Sequence, residues 1–172
     1  MTHDLPGDPE AFCLLSVALD PVPPPRHCRE RWLAELSGTA RYLPFQRGLR
    51  EHFDLTEPVA NELLARIQQA DAWTPGVAPI VGFLHFQPGP QLGRAHCGFV
   101  RMKRGMQVPA HRHTDRELTY VLEGVLVDGD GNRYGPGEVI EMPVNSVHAL
   151  YVASEHDALL ATAQGRVHLL GI

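Results

Sequence analysis

His111 and His113 stand two residues apart, Glu117 follows four later, and His148 comes 31 residues beyond that. Along an extended chain, side chains two apart point to the same face, so the first two imidazoles are offered together. Glu117 falls near the start of the next extended segment. His148 lies on another, after two hairpin-like turns. Three imidazoles and one carboxylate can therefore converge on one cation. That donor set suits Zn²⁺, Fe²⁺, Mn²⁺, Ni²⁺ or Cu²⁺, whereas Mg²⁺ and Ca²⁺ prefer oxygen donors. The polar stretch from His111 to Arg116 also reads as a surface loop, but that reading explains neither Glu117 nor the placing of His148.

Side chains from three segments need a framework of short strands to bring them together, and the chain supplies one from Ile80 onward. Its segments there are short, rich in β-branched residues and separated by Gly, Pro, Asn or Asp. Candidate strands are 80–86, 95–102, 106–109, 117–122, 125–128, 132–134, 138–142, 147–152 and 158–163. Asp130-Gly131-Asn132 and Gly135-Pro136-Gly137 are turn signals. This spacing predicts an all-β, antiparallel sandwich or barrel.

The residues before Ile80 read as helical. Asp8 caps a helix through Phe12, Leu15 and Leu19, which Pro21, Pro23, Pro24 and Pro25 end. A second short helix is predicted over 26–36. Phe45, Leu49 and Phe53 recur four apart. Thr56 caps a further helix whose stripe is Val59, Leu63, Leu64, Ile67 and Ala70. The chain thus divides into a helical extension and linker, 1–76, and a barrel, 77–172.

Glycines bracket the candidate ligands at set distances. The run Gly105-x5-His111-x-His113-x3-Glu117-x6-Gly124 resembles the first motif of the cupin superfamily at every fixed position. The second motif is met by Gly137-x5-Pro143-x-Asn145-x2-His148-x3-Val152, with Asn145 in place of a glycine and Val152 in place of an asparagine. Asn tolerates the left-handed backbone that the glycine would supply. The resemblance implies a cupin (double-stranded β-helix, or jelly-roll) barrel with an α-helical N-terminal extension. It also implies His111, His113, Glu117 and His148 as ligands of one divalent metal.

The likeness extends to one family. Leu63-Leu64-Ala65-Arg66-Ile67, Ala72-Trp73-x-Pro75-Gly76, Leu84-His85-Phe86-x-Pro88-Gly89-Pro90 and Val121-Leu122-Glu123-Gly124 resemble the cupin domain of ChrR-type zinc-binding anti-sigma factors. Upstream, Leu19 to Pro25 followed by Arg29-Glu30-Arg31 resembles the junction after their anti-sigma domain. In that family an N-terminal zinc domain holds a sigma factor, and the cupin senses oxidative stress. The resemblance implies zinc as the resident metal and a sensory role. The family's Cys-x-x-Cys pair has no match here, and the residues before Pro21 are too few to form that zinc domain. The expectation is therefore a sensory, regulatory cupin without the sigma-binding zinc domain. The competing expectation is a small iron-, manganese- or nickel-dependent cupin dioxygenase or related metalloenzyme. In that case Glu117 is the candidate base, and no other catalytic residue is assigned.

Composition narrows the field further. The 172 residues carry 20 acids against 15 bases, a net charge of −5, and Lys103 is the single lysine. This is no footprint for nucleic acid or for a membrane surface. No apolar run is long enough to span a bilayer, and the first residues lack the pattern of a secretory leader. Cys13, Cys28 and Cys97 are scattered and read as free thiols. The expected compartment is the cytoplasm. The expected associations are a homodimer through the barrel and a protein partner at the N-terminal helices. Cys97 reads as a small buried hydrophobe or, less simply, as an oxidant target. His85, His96, His156 and His168 read as bystanders in or near strands.

Overall fold

Two antiparallel sheets face each other in the structure, a computed structural model that describes residues 38–76, 81–93, 95–165 and 167–169, with Pro23, Pro25 and Cys28 upstream. The chain divides into two units, 1–35 and 36–172. In the first, the Cys28 amide donates to the carbonyl of Pro25 at 2.9 Å. The helix predicted around Phe12 lies outside the described residues, as does the one over 26–36 apart from Cys28. The second unit holds both sheets and the helices that pack on them.

After a 3₁₀ segment, Thr39–Phe45, comes α1, Gln46–Phe53, which buries Leu49 and Phe53. It ends where Asp54 turns left-handed, with φ of 53°. Thr56 then precedes α2, Glu57–Arg66, with Pro58 in its first turn and Glu57 at its positive end. Thr56 stands at the capping position, but its side chain makes no capping bond. The buried stripe of α2 is Ala60, Leu63 and Leu64, continued by Ile67. That is the i, i+3, i+4, i+7 face of one helix. Val59 was expected on this stripe but falls off its edge and is 40% exposed.

The strands are β1 Thr74–Pro75, β2 Val81–Phe86, β3 His96–Met102, β4 Gln107–His113, β5 Glu117–Glu123, β6 Leu126–Asp128, β7 Arg133–Tyr134, β8 Val139–Met142, β9 Val147–Val152, β10 Ala158–Gln164 and β11 Val167–Leu169. The first sheet runs β1-β2-β3-β10-β5-β8 and the second β11-β4-β9-β6-β7.

The first sheet is buried on both faces. Cys97, Phe99, Leu118, Tyr120, Leu122, Leu159 and Ala161 meet Leu49, Phe53, Leu63 and Leu64 of the two helices. The alternate residues Val100, Val121 and Leu160 meet Leu126, Leu150 and Val152 of the second sheet. Two-sided burial shows in β5 and β10, each of which is buried at six successive positions. Each fully buried Leu or Phe in these layers contributes about 1.5–3 kcal/mol. Val152, which replaces the motif's asparagine, is one of these core side chains, 1% exposed.

Candidate metal centre

β4 is longer than the sequence suggested, and it is irregular. Val108 pairs with Leu150 and His111 with His148, so three steps along β4 match two along β9. The extra residue at Pro109-Ala110 is a β-bulge. Without it, Val108 and His111 would point to opposite faces. With it, Val108 packs on the inner core and His111 and His113 are buried beside it. The bulge also orients the first ring. Nδ1 of His111 lies 2.9 Å from the carbonyl oxygen of Pro109. That oxygen can only accept, so Nδ1 carries the proton and the Nε2 lone pair is free.

His148 sits directly across from His111, with its Nε2 3.1 Å from Nε2 of His111. The third ring, His113, is fixed through its backbone. Its amide donates to the carbonyl of Ser146 (3.1 Å), and its carbonyl accepts from the amide of Asn145 (2.9 Å). Asn145 has φ of 67°, the left-handed conformation foreseen for the residue that replaces a glycine. Centroids of the three rings form a near-equilateral triangle with sides of 4.6, 4.7 and 4.8 Å. Their candidate ligand atoms lie within 4.8 Å of one another.

Glu117 enters from the opposite sheet, at the start of β5. Its Oε2 lies 3.3 Å from Nδ1 of His113, and its Oε1 accepts a hydrogen bond from the Thr119 hydroxyl at 3.2 Å. The structure thus groups the three histidines tightly and places Glu117 against one of them.

Electrostatics favour the metal-binding forms of His113 and His148. Burial, followed by the neighbouring His111 and His113, pushes His148 down to about 4, against a weaker opposing pull from Asp128. Burial and then His111 also lower His113. Burial raises Glu117, opposed by the Thr119 bond and by His111. Near neutral pH His113 and His148 therefore present lone pairs rather than charge. Nε2 of His113 and Nδ1 of His148 are buried without a hydrogen-bond partner. Each such orphan costs about 1–3 kcal/mol. A cation among the rings removes that cost at His113, and imidazole nitrogens bound at about 2.1 Å to one ion lie about 3.0–3.4 Å apart. The 3.1 Å between His111 and His148 is of that size. The residues present fit a transition-metal ion.

Cys97 belongs elsewhere. It lies on the face of β3 turned to the helices, packed in their core, and burial pushes its thiol up to about 11. That removes the reading as an oxidant target beside the metal. His85, His96 and His156 are exposed, and the side chain of His168 lies outside the described residues. A cavity of about 640 Å³ lined by Glu51, His52, Leu92, Arg116 and Glu141 touches none of the four candidate ligands. Thr119 stands two residues beyond Glu117 on β5 and so shares its face. Sequence reasoning missed the bulge, for which a proline inside an extended run was the available signal.

Facing antiparallel sheets with a histidine cluster on their inner side define a cupin. The chain belongs to the ChrR cupin-like domain family, whose model matches residues 62–168. Among solved structures it is similar to that of Rhodobacter sphaeroides SigE in complex with the anti-sigma ChrR. There the TM-score is 0.55 at 20% identity, over 91% of this chain and 75% of that one. An RmlC-like cupin from Ralstonia eutropha JMP134 gives 0.50 at 20% identity, over 58% of this chain and 66% of that one, just under two thirds of its length. An acetylacetone dioxygenase from Acinetobacter johnsonii gives 0.50 at 9% identity, over 60% and 74%. These likenesses establish the fold. No curated protein matches the chain.

Proposed function

We propose that this chain is a sensory, regulatory cupin of oxidative-stress signalling, with zinc held by His111, His113, His148 and Glu117. The observation that carries the reading is the tight triangle of three imidazoles with an unpartnered Nε2 on His113, in a chain of the ChrR cupin-like family. Three imidazoles and a carboxylate form a donor set in which zinc is at home. The bound ion supplies a fixed positive centre joining the two sheets, since the histidines come from one and Glu117 from the other. A change at that centre is then felt by both sheets, which is what a sensor needs. The SigE–ChrR complex supports a protein partner for this chain, and the cytoplasm is the compartment in which such a partner would be met.

The test is elemental analysis of the full chain purified without added metal. Zinc near one equivalent is expected. Stoichiometric iron, with oxygen uptake on a thiol or diketone substrate, would overturn the reading in favour of a dioxygenase.

A further inference from the structure

Among the described residues, the buried polar and charged side chains are His111, His113, Glu117, Thr119 and Thr162. The two threonines face each other as register partners across β5 and β10. They share the inner side of the first sheet with Glu117, but their hydroxyls do different things. Thr162 Oγ1 makes a long contact, 3.4 Å, with the carbonyl of Gly98. Thr119 Oγ1 donates to Oε1 of Glu117 at 3.2 Å, with both ends of the bond buried. Thr119 is 2% exposed, and valine would fill the same volume without a hydroxyl to satisfy. The bond it makes is to the carboxylate, not to the backbone.

We infer that Thr119 is a positioning residue of the metal centre, holding Oε1 of Glu117 so that the carboxylate meets the imidazole group through Oε2 alone. The inference rests on the proposal that Glu117 is a metal donor. Glu117 has three rotatable side-chain bonds, and with Thr119 removed its head could swing away or offer both oxygens. Oε2 lies 3.3 Å from Nδ1 of His113, whereas the ion takes Nε2 of that ring, so Oε2 reaches it by turning about the oxygen that Thr119 holds. A carboxylate offered through one oxygen leaves coordination room for an exogenous ligand, which a sensing site requires. Groups that orient metal ligands in this way typically change affinity by about 10–100-fold when removed.

The experiment compares the wild-type chain with Thr119→Val, Thr119→Ser and Thr162→Val. It reads zinc and cobalt affinity by chelator competition, the visible spectrum of the cobalt-loaded protein, and thermal melting. Thr119→Val is expected to bind zinc about 10–100-fold more weakly with an altered cobalt spectrum. Thr119→Ser should restore both, and Thr162→Val should change neither. Wild-type affinity and spectrum in Thr119→Val would overturn the inference, as would an equal loss in Thr162→Val. Should Thr119→Val fail to melt cooperatively, difference infrared spectroscopy of the metal-loaded wild type decides. A wide splitting of the Glu117 carboxylate stretches, marking one bound oxygen, is expected, and a narrow splitting overturns the inference. A wild-type chain that binds neither metal removes the metal centre itself. A wild type that binds, with Thr119→Val matching it, removes only the role of Thr119.

Discussion

His111 and His148 are register partners across β4 and β9, and their Nε2 atoms stand 3.1 Å apart. The pairing depends on the bulge at Pro109-Ala110, which turns His111 inward and supplies the carbonyl that fixes its tautomer. Replacing either ring by alanine removes one donor and leaves the other facing empty space. His111→Ala and His148→Ala should each weaken zinc binding by more than the roughly 10–100-fold typical of supporting residues, measured by chelator competition. The stabilisation by metal should vanish with it. For the wild type it is about 2.7 kcal/mol at a free zinc concentration 100 times Kd. For a chain of this size that is about 5–10 °C in Tm, and neither variant should show it.

The acid stability of the metal-free protein should follow His148. Its folded value is depressed to about 4 from an ordinary 6.5, so the unfolded chain binds the proton more readily between those values. Stability is then present in full above about pH 6.5 and is lost progressively as pH falls towards 4. Denaturant midpoints of metal-free wild type should fall across that window. In His148→Gln, which cannot protonate, the fall should be smaller. Equal slopes in the two proteins would show that the ring does not set the acid limit.

The strand framework was legible because several turns between strands carry a residue in the left-handed conformation, at Gly105, Gly124, Gly131, Gly137 and Asn145. Gly124 has φ of 81°, and a Cβ there would come within 2.8 Å of Ala158. Asn145, although not glycine, adopts the same left-handed turn. The histidines were legible from spacing alone, since two apart on a strand means one face. What spacing could not show is how β4 and β9 align, because a bulge changes which face a residue meets without changing the sequence period. The place of Cys97 depended likewise on parity within β3. Along β3 both faces carry apolar residues, so only the register distinguishes Cys97, on the helix side, from Val100, on the inner side. The helical stripe of α2 was missed at both ends: at Val59, where helix phase rather than hydrophobicity decides burial, and at Ala70, which is exposed beyond the helix's end at Arg66.

Cys97 should be inert in the folded protein. It is 3% exposed, among Leu84, Phe86 and Phe99, and burial pushes its thiol up to about 11. The thiolate is the reactive form, so both access and ionisation oppose reaction. Brief iodoacetamide treatment at pH 8, followed by peptide mass spectrometry, should leave Cys97 unmodified in the native chain and label it after denaturation. Labelling of Cys97 in the native state, at a rate near that of a free thiol, would show that the helix-covered face opens readily.

Asn145 joins the two motifs physically, because its amide holds the carbonyl of His113 while its own backbone is left-handed, at φ of 67°. A β-branched residue meets a steric penalty there that asparagine and glycine avoid. Asn145→Val should destabilise the protein by about 1–2 kcal/mol, or about 2–8 °C in Tm for a chain of this length. Asn145→Gly relieves the backbone but frees the unfolded chain, so its net effect should stay within about 1 kcal/mol. The two variants should also differ in metal binding. Valine can relieve its strain only by shifting the turn, and the turn carries the 2.9 Å and 3.1 Å bonds that hold the His113 backbone. Zinc affinity should therefore drop in Asn145→Val and hold in Asn145→Gly. If valine lowers Tm while leaving zinc affinity untouched, the turn stabilises the barrel without positioning His113.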